Sequence, residues 1–173
     1  MSPTDRALAS MRIAERVNEL LLGTLSVGKM TVALYAPKGS EVDTFIIDEH
    51  IRGAGGRVVY PRVVDDSRVL EFHAVAPEQL VAGRFGLREP RADWRNAVGL
   101  VEIGAFVIPG LAFDRRGGRV GWGGGHYDAT LSAAPDALRI GLGFECQLVD
   151  DVPREPHDAL LHYVVTEVAT YKA

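Results

Sequence analysis

Apolar residues along this chain of 173 residues follow two spacings, one typical of amphipathic helices and one typical of short buried strands. The first spacing predicts a helix over residues 4–22, with Ser2 or Thr4 as its N-cap and Gly23 as its stop. The patterns also predict strands over 31–36, 57–61, 68–75, 104–109, 138–144 and 162–169, helical segments over 42–56, 77–80 and 126–134, and a loop over 85–90. Strands that alternate with helices indicate an α/β fold, a single three-layer α/β/α domain with a mostly parallel sheet.

The first predicted strand, helix and strand favour a parallel strand pair joined by a right-handed crossover. In open parallel sheets, ligands bind outside the carboxyl ends of the strands. Three predicted loops follow strands in this way, at residues 36–42, 61–67 and 109–125. We therefore expect a ligand site where these three loops meet.

Composition narrows the function without identifying it. An apolar fraction of 47% over this length fits one ordinary domain with a real core. The net charge of −4 and the scattered arginines argue against a nucleic-acid partner. No apolar segment approaches the ~18 to 20 residues that span a bilayer, and no secretion signal is visible, so we expect a soluble, cytoplasmic protein with no membrane partner. The single cysteine, Cys146, excludes an internal disulfide and predicts a buried, reduced thiol.

The stretch "GGRVGWGGGHYD", residues 117–128, is the most unusual in the chain, and we call residues 117–125 the glycine loop. Consecutive glycines leave backbone N–H groups free to contact an anion, and Arg115, Arg116 and Arg119 could meet phosphate oxygens. The stretch matches neither the Walker A nor the dinucleotide-binding fingerprint. A phosphate-binding loop and a surface loop without a ligand both remain open from these residues alone.

Several polar residues near these loops have both a structural and a functional interpretation. Asp128 could cap the following helix or hold Mg²⁺, and Asp158 is a second carboxylate for the same ion. Glu41 could be an ordinary exposed side chain or could hold the polar part of a substrate. Trp122 needs either a ligand ring or a packing partner to cover its apolar surface.

In order along the chain, the segments "ALYAPKGSEVDT", "VVYPRV", "LEFH", "LREP", "VIPGLAFDRRGGRVGWGGGHYD" and "EPHDALLHYVVTE" resemble the 5-formyltetrahydrofolate cyclo-ligases, also called methenyltetrahydrofolate synthetases. The resemblance extends from about residue 32 to residue 167. Its most specific part is Pro-Gly-Leu-Ala-Phe-Asp followed by Arg-x-Gly-x-Gly-Gly-Gly-x-Tyr-Asp. The resemblance implies a single domain over 1–173 with a NagB/RpiA-like fold.

The resemblance also implies an activity and a set of residues. The activity is the ATP- and Mg²⁺-dependent conversion of 5-formyltetrahydrofolate, with or without a polyglutamylated tail, to 5,10-methenyltetrahydrofolate by a monomeric ligase. By position, ATP would contact Arg119, Val120, Gly121, Trp122, Gly123, Gly124, Gly125, His126 and Tyr127, of which Arg119, His126 and Tyr127 would be catalytic. Mg²⁺ would be held by Asp128 and Asp158, and the folate would contact Ala36, Glu41, Tyr60 and Phe72.

This chain departs from the family pattern before its first strand. Members normally begin with an extra helical segment that carries a Lys and, four residues on, an Arg, and here Tyr35 follows Met1 too closely for that segment to fit. The chain could start late, Lys38 or Arg6 could substitute, or turnover could be impaired, which leaves a non-catalytic folate- or nucleotide-binding relative as the alternative function. A sugar-phosphate isomerase or an acyl-CoA transferase rests on analogy of fold alone.

Overall fold

The computed structural model describes residues 1–24, 30–94, 97–155 and 158–173. Its helices are α1 (Pro3–Thr24), α2 (Phe45–Gly53) and α3 (His126–Ser132). Its strands are β1 (Thr31–Ala33), β2 (Arg57–Arg62), β3 (Glu71–His73), β4 (Val81–Ala82), β5 (Arg88–Glu89), β6 (Ala97–Val98), β7 (Ile103–Ile108), β8 (Ala112–Phe113), β9 (Arg119–Val120), β10 (Leu138–Leu142), β11 (Tyr163–Val165) and β12 (Thr170–Lys172). Single 3₁₀ turns occupy Pro77–Gln79, Arg84–Gly86, Leu100–Glu102 and Glu145–Gln147.

Eight strands form the central sheet in the order β12-β11-β10-β7-β1-β2-β3-β6. The five inner strands from β11 to β2 run parallel, whereas β12, β3 and β6 pair antiparallel at the two edges. Strands β1 and β2 pair with Val32 opposite Val58, which confirms the predicted parallel strand pair. The mostly parallel α/β sheet is therefore confirmed.

The helices cover both faces of this sheet. On one face, Ile13 of α1 and Ile47 of α2 pack in the same buried cluster as Val32 and Val58. On the other face, Leu131 of α3 packs in a second buried cluster with the neighbouring strand residues Ala33, Val59 and Phe106. Because adjacent strand residues point to opposite faces, one cluster lies between the sheet and each helical layer, which gives three layers in all.

The start of α1 follows from its first residues. The Ser2 hydroxyl accepts a hydrogen bond from the Asp5 amide at 3.1 Å, and the Asp5 carboxylate accepts one from the Ser2 amide at 3.3 Å. This reciprocal cap, with Pro3 as the first helical residue, confirms Ser2 as the N-cap. The helix passes through the predicted stop at Gly23 by one residue, to Thr24.

Phe113, at the end of β8, is fully buried against three glycines. A Cβ atom placed on Gly110, Gly141 or Gly143 would lie 2.6–2.8 Å from an atom of the Phe113 ring. Such distances are well inside van der Waals contact, so the backbone at these positions lies against the ring with no space between them. We call this arrangement the Phe113 seat.

Two predictions, one for Cys146 and one for residues 85–90, need correction. Cys146 is exposed, because β10 ends at Leu142 and the following 3₁₀ turn at Glu145–Gln147 carries the thiol to the surface. The predicted loop at 85–90 contains β5, which pairs with β4 in a short hairpin. Within the part of the chain that the structure describes, no helix is long and apolar enough to cross a membrane.

Candidate functional site

A cavity of about 680 Å³ lies at the carboxyl ends of the parallel strands. All three loops predicted to meet there contribute to its wall. The residues that line the cavity include Ala36, Lys38 and Glu41 from the first loop, Pro61 and Val63 from the second, and Pro109, Arg119, Gly121, Trp122, Gly123, Gly124 and Gly125 from the third. The volume is in the range of small-molecule sites in proteins.

Residues 121–125 of the glycine loop, between β9 and α3, form one wall of this cavity. Gly123 and Gly125 have φ of 82° and 66°, a left-handed conformation that glycine adopts without steric cost. Val120 precedes this part of the loop and is partly exposed, outside the cavity lining. The contact of ATP predicted for Val120 has no support in the cavity lining and stays a prediction.

Of the three arginines near the glycine loop, Arg119 lines the cavity. The Arg115 guanidinium lies 5.0 Å from the ring centroid of Tyr171, and Arg116 pairs with Asp151 on the surface. Arg119 is thus the arginine of this group that is placed to contact a bound anion.

Arg119 belongs to a compact group with Tyr127 and Asp128, the second and third residues of α3. Its Nη2 donates to Oδ1 of Asp128 at 3.1 Å, and its guanidinium lies 5.7 Å from the Tyr127 ring centroid. The Arg119 side chain is only 7% exposed, so this ion pair is shielded from water. Burial raises the pKa of the Tyr127 hydroxyl, which therefore stays protonated and can donate a hydrogen bond at neutral pH.

His126 also lines the cavity, and its Nδ1 lies 3.0 Å from the carbonyl oxygen of Arg68. A carbonyl oxygen only accepts, so Nδ1 carries the proton in this contact. In a neutral imidazole, Nε2 is then an acceptor. His126 can donate a hydrogen bond to phosphate only when the ring is protonated.

The two predicted metal ligands lie on one part of the wall. Asp128 and Asp158 both line the cavity, and the Ala159 amide, next to Asp158 in sequence, donates to Oδ1 of Asp128 at 3.3 Å. Asp158 Oδ2 accepts a hydrogen bond from the Glu155 amide at 2.7 Å. Among the described residues there is no group of three or more His, Cys, Asp or Glu side chains suited to hold a metal. The two carboxylates fit Mg²⁺ only in the mode in which nucleotide phosphates supply further ligands. Residues 156–157, within the family motif before Asp158, lie outside the described part of the chain.

Glu41 and Trp122 lie on the cavity wall near Lys38. The Glu41 carboxylate accepts a hydrogen bond from the Lys38 amide at 2.9 Å, and burial raises the pKa of Glu41 above its ordinary value. The Lys38 ammonium donates to the Phe85 carbonyl and lies 6.0 Å from the Trp122 ring centroid. Of the two cations predicted to substitute for the family's leading Lys, Lys38 lines the cavity, whereas Arg6 donates to the Met1 carbonyl at 3.4 Å.

Phe85 is a wall residue that the sequence patterns missed. It is 72% exposed, lines the cavity and has a φ of 56°, an uncommon value for a residue other than glycine. Trp122 on the glycine loop is also 72% exposed, so the residues that the structure describes leave most of its ring uncovered. Two exposed aromatic rings on the wall of one cavity provide apolar surface that a bound ring could cover.

Glu89 holds the hairpin that carries Phe85. It is buried, and its carboxylate accepts hydrogen bonds from the Val63 amide at 3.1 Å and the Arg84 amide at 3.3 Å. These bonds join the β4–β5 hairpin to the loop after β2. The Leu-Arg-Glu-Pro segment is the sequence signal for this residue, although the pattern alone gives no role for it.

Tyr60 and Phe72 do not line the cavity, so their predicted contact with substrate is corrected. Tyr60 is fully buried against Phe45 of α2, with ring centroids 6.2 Å apart, and Phe72 packs edge-on against Phe106 at 5.4 Å. Both residues lie within strands, so their side chains point into the two cores. The apolar wall comes from residues beyond the strand ends, among them Val63, Leu70, Phe85 and Leu87.

Comparisons with known proteins identify the family of this chain. The model of the 5-formyltetrahydrofolate cyclo-ligase family matches residues 1–167. The chain is 37% identical over 150 residues to the 5-formyltetrahydrofolate cyclo-ligase of Mycolicibacterium smegmatis, covering 84% of this chain and 77% of the relative. It is 34% identical over 142 residues to the enzyme of the same name from Escherichia coli K12, covering 79% of this chain and 77% of the relative.

The fold is similar to the NMR structure of Aquifex aeolicus 5,10-methenyltetrahydrofolate synthetase, with a TM-score of 0.82 and 26% identity. That similarity covers 99% of this chain and 84% of the other. Because the family model matches nearly the whole chain and close relatives carry the same name, the chain belongs to the 5-formyltetrahydrofolate cyclo-ligase family.

Proposed function

We propose that this protein converts 5-formyltetrahydrofolate to 5,10-methenyltetrahydrofolate, with ATP cleaved to ADP and phosphate. The main support is that one cavity joins the glycine loop and Arg119 to Glu41 and two exposed aromatic rings. A polyphosphate and a flat heteroaromatic ring need different surroundings, and the wall offers both. The family membership favours this activity over the non-catalytic alternative.

In the proposed reaction, the formyl oxygen attacks the γ-phosphorus of ATP and the bond from that phosphorus to ADP breaks. N10 of the folate then attacks the activated formyl carbon and loses its proton, and phosphate leaves as the five-membered ring closes. Phosphoryl transfer of this kind depends on positioning and on stabilising charge. Amides of the glycine loop and the guanidinium of Arg119 would bind the polyphosphate, with Tyr127 as a neutral donor beside them.

Asp128 and Asp158 would hold Mg²⁺ together with the nucleotide phosphates. When bound, the ion neutralises charge on the phosphates and orients them. Asp128 also pairs with Arg119, whose guanidinium balances part of the charge of this carboxylate. We propose that Lys38 supplies the additional cation that family members carry in their leading segment, because Lys38 lies on the cavity wall.

Glu41, Phe85 and Trp122 would bind the folate. The Glu41 carboxylate can accept hydrogen bonds from ring N–H groups, and the exposed aromatic faces can cover the ring. We also propose that a polyglutamate tail is accepted, since Lys38 on the cavity wall is exposed to solvent, and that the protein acts as a monomer in the cytoplasm. Light scattering of the purified protein tests the monomer, and a comparison of KM for mono- and polyglutamylated substrate tests the tail.

Turnover tests the proposed function directly. Incubation with ATP, Mg²⁺ and 5-formyltetrahydrofolate should produce the near-ultraviolet absorption of the methenyl product together with one ADP per product. Binding of both ligands without product would instead support the non-catalytic alternative. If neither ligand bound and no product formed, the proposed function would be wrong.

Arg119 and Arg116 provide a matched pair of variants for this assay. Arg119→Gln should lower kcat by about 10²- to 10³-fold, as removal of one transition-state donor does in other enzymes. Arg116→Gln removes the same charge from a surface pair three residues away in sequence and should leave turnover unchanged. Equal losses in the two variants would show that general positive charge, and not the position of Arg119, matters for turnover.

A further inference from the structure

Asp114 is a fully buried carboxylate at the end of β8 to which the proposed mechanism gives no role. Its Oδ1 accepts hydrogen bonds from the amides of Arg116 at 2.8 Å and Gly118 at 2.9 Å. Its Oδ2 accepts one from the Val152 amide at 3.0 Å, and Nη2 of Arg154 lies within 2.9 Å of both oxygens. A buried charge is stable only when it is paired and hydrogen-bonded in this way.

These bonds join two segments that are distant in sequence. The first segment turns at 114–118 and leads directly to Arg119 on the cavity wall. The second contains Val152 and Arg154 and leads to Glu155 and Asp158 on the same wall. The carboxylate of Asp114 is therefore a buried charged link between the arginine side and the metal side of the polyphosphate region, in addition to the Arg119–Asp128 pair and the bond from the Leu161 amide to the Gly117 carbonyl.

The surroundings fit a carboxylate closely. A Cβ on Gly118 would lie 2.4 Å from Oδ2 of Asp114, so glycine is required for the turn to approach it. Burial by itself raises the pKa of a carboxyl group, but here the bonds from Arg154 and from three amides outweigh burial and lower the pKa of Asp114 to about 2. The side chain is thus charged at neutral pH, and the ionic form makes the bonds.

We infer that Asp114, with Arg154, is a positioning residue that sets the distance between Arg119 and Asp158 and so prepares the cavity for a nucleoside triphosphate. The inference rests on the proposed function for the identity of the nucleotide. The folate-side residues Glu41 and Phe85 belong to other loops and make no bond with Asp114 among the described residues. Loss of the Asp114–Arg154 pair should therefore affect the two substrates unequally.

The test uses Asp114→Asn and Arg154→Gln, with Asp151→Asn as the matched control. Asp151 lies in the same segment and pairs with Arg116, but it is 70% exposed. In steady-state assays, KM for ATP should rise about tenfold or more in the first two variants, with KM for folate nearly unchanged, since small displacements of binding groups have effects of this size or larger. Asp151→Asn should change neither value, and Arg154→Lys, which keeps the charge, should recover part of the loss.

Hydrogen exchange of the ligand-free variants provides a measurement that does not depend on turnover. Exchange should become faster at 116–121, 150–155 and 158–161, and stay unchanged at 36–42 and 61–63. Faster exchange throughout the protein, or equal increases in KM for both substrates, would identify a general structural role and overturn the inference. If Asp114→Asn does not fold, Arg154→Gln provides the test. An unchanged KM for ATP in folded Arg154→Gln would also overturn the inference. If the wild-type protein lacks turnover, the proposed function fails, while hydrogen exchange still decides the coupling of the segments.

Discussion

The Phe113 seat leads to a sharp prediction for Gly141→Ala. The new methyl group would lie 2.5 Å from Cδ1 of Leu161 and 2.8 Å from Cε1 of Phe113. The Leu161 side chain can rotate, but the Phe113 ring cannot retreat, because it also lies against the backbone of Gly110 and Gly143. The methyl group must therefore displace either the ring or strand β10.

Two opposing effects determine how Gly141→Ala changes the free energy of unfolding. Adding a methylene-sized group to a tightly packed core destabilises proteins by about 1–3 kcal/mol. Replacing glycine by alanine at a compatible backbone position stabilises by about 0.4–1 kcal/mol, because the unfolded chain has less freedom. With two contacts below 3 Å, packing dominates, and we expect Gly141→Ala to lose about 2 kcal/mol. In a chain of this length, each kcal/mol corresponds to about 2–4 °C in Tm.

Gly53→Ala is the matched control, since it makes the same chemical change at the end of α2 with no atom within 4 Å of the new methyl group. It should be neutral or stabilising by up to about 1 kcal/mol. Urea unfolding at neutral pH measures both variants, and the slope m should stay unchanged. If Gly141→Ala were as stable as Gly53→Ala, the prediction would be refuted, because the Phe113 seat would then have room for a methyl group.

Four further predictions concern charge and the aromatic wall. The pKa of Asp114 is about 2, below the ordinary 3.8, so the contribution of its charge to the free energy of unfolding is complete above pH 3.8 and is lost as pH falls toward 2. The difference in the free energy of unfolding between wild type and Asp114→Asn, measured in urea, should therefore shrink by about 2 kcal/mol between pH 3.8 and pH 2. A difference that stays constant over this range would contradict the prediction. The pKa of Glu41 is raised by burial, so Glu41 should take up a proton at a pH above the ordinary pKa of glutamate. As pH is lowered through that range, KM for folate should rise in the wild-type protein, whereas Glu41→Gln should have a higher KM that does not depend on pH. The same shift means that the ionised form is the one the fold disfavours, so Glu41→Gln should be no less stable than wild type at neutral pH, as thermal unfolding will show. Phe85→Ala should raise KM for folate about fivefold, for an aromatic contact of ~1 kcal/mol, and Phe85→Tyr should not.

The centre of the fold could be predicted from the sequence because burial on both faces produces uninterrupted apolar runs. The runs at 31–36 and 57–61 correspond to β1 and β2, in the parallel pairing expected for a strand, helix and strand. Strands β4, β5, β8 and β9 have two residues each, too few to show an alternation. They form through turn closure and through contacts distant in sequence, such as the hydrogen bond that the Val63 amide donates to the Glu89 carboxylate.

The site was predictable in outline. The rule that ligands bind at the carboxyl ends of strands located the three loops, and the resemblance located Arg119 within the third loop and Asp128 in the helix that follows it. Phe85 was missed because its exposure depends on a hairpin without a sequence signal. Tyr60 and Phe72 were misplaced because an aromatic residue within a strand points into a core. The NagB/RpiA-like assignment and the absence of a leading Lys/Arg segment stay predictions.

The ends of the central sheet also affect how the molecule behaves in a crowded solution. Strand β6 has two residues and strand β12 has three, the last of them Lys172. An exposed sheet edge can recruit a strand from a second molecule, and this needs a long, flat row of unpaired backbone groups. The row of backbone groups on β6 or β12 is short, and β12 ends at a lysine, so another chain could form few hydrogen bonds with either strand. The sheet thus resists edge-to-edge aggregation through the brevity of its outer strands.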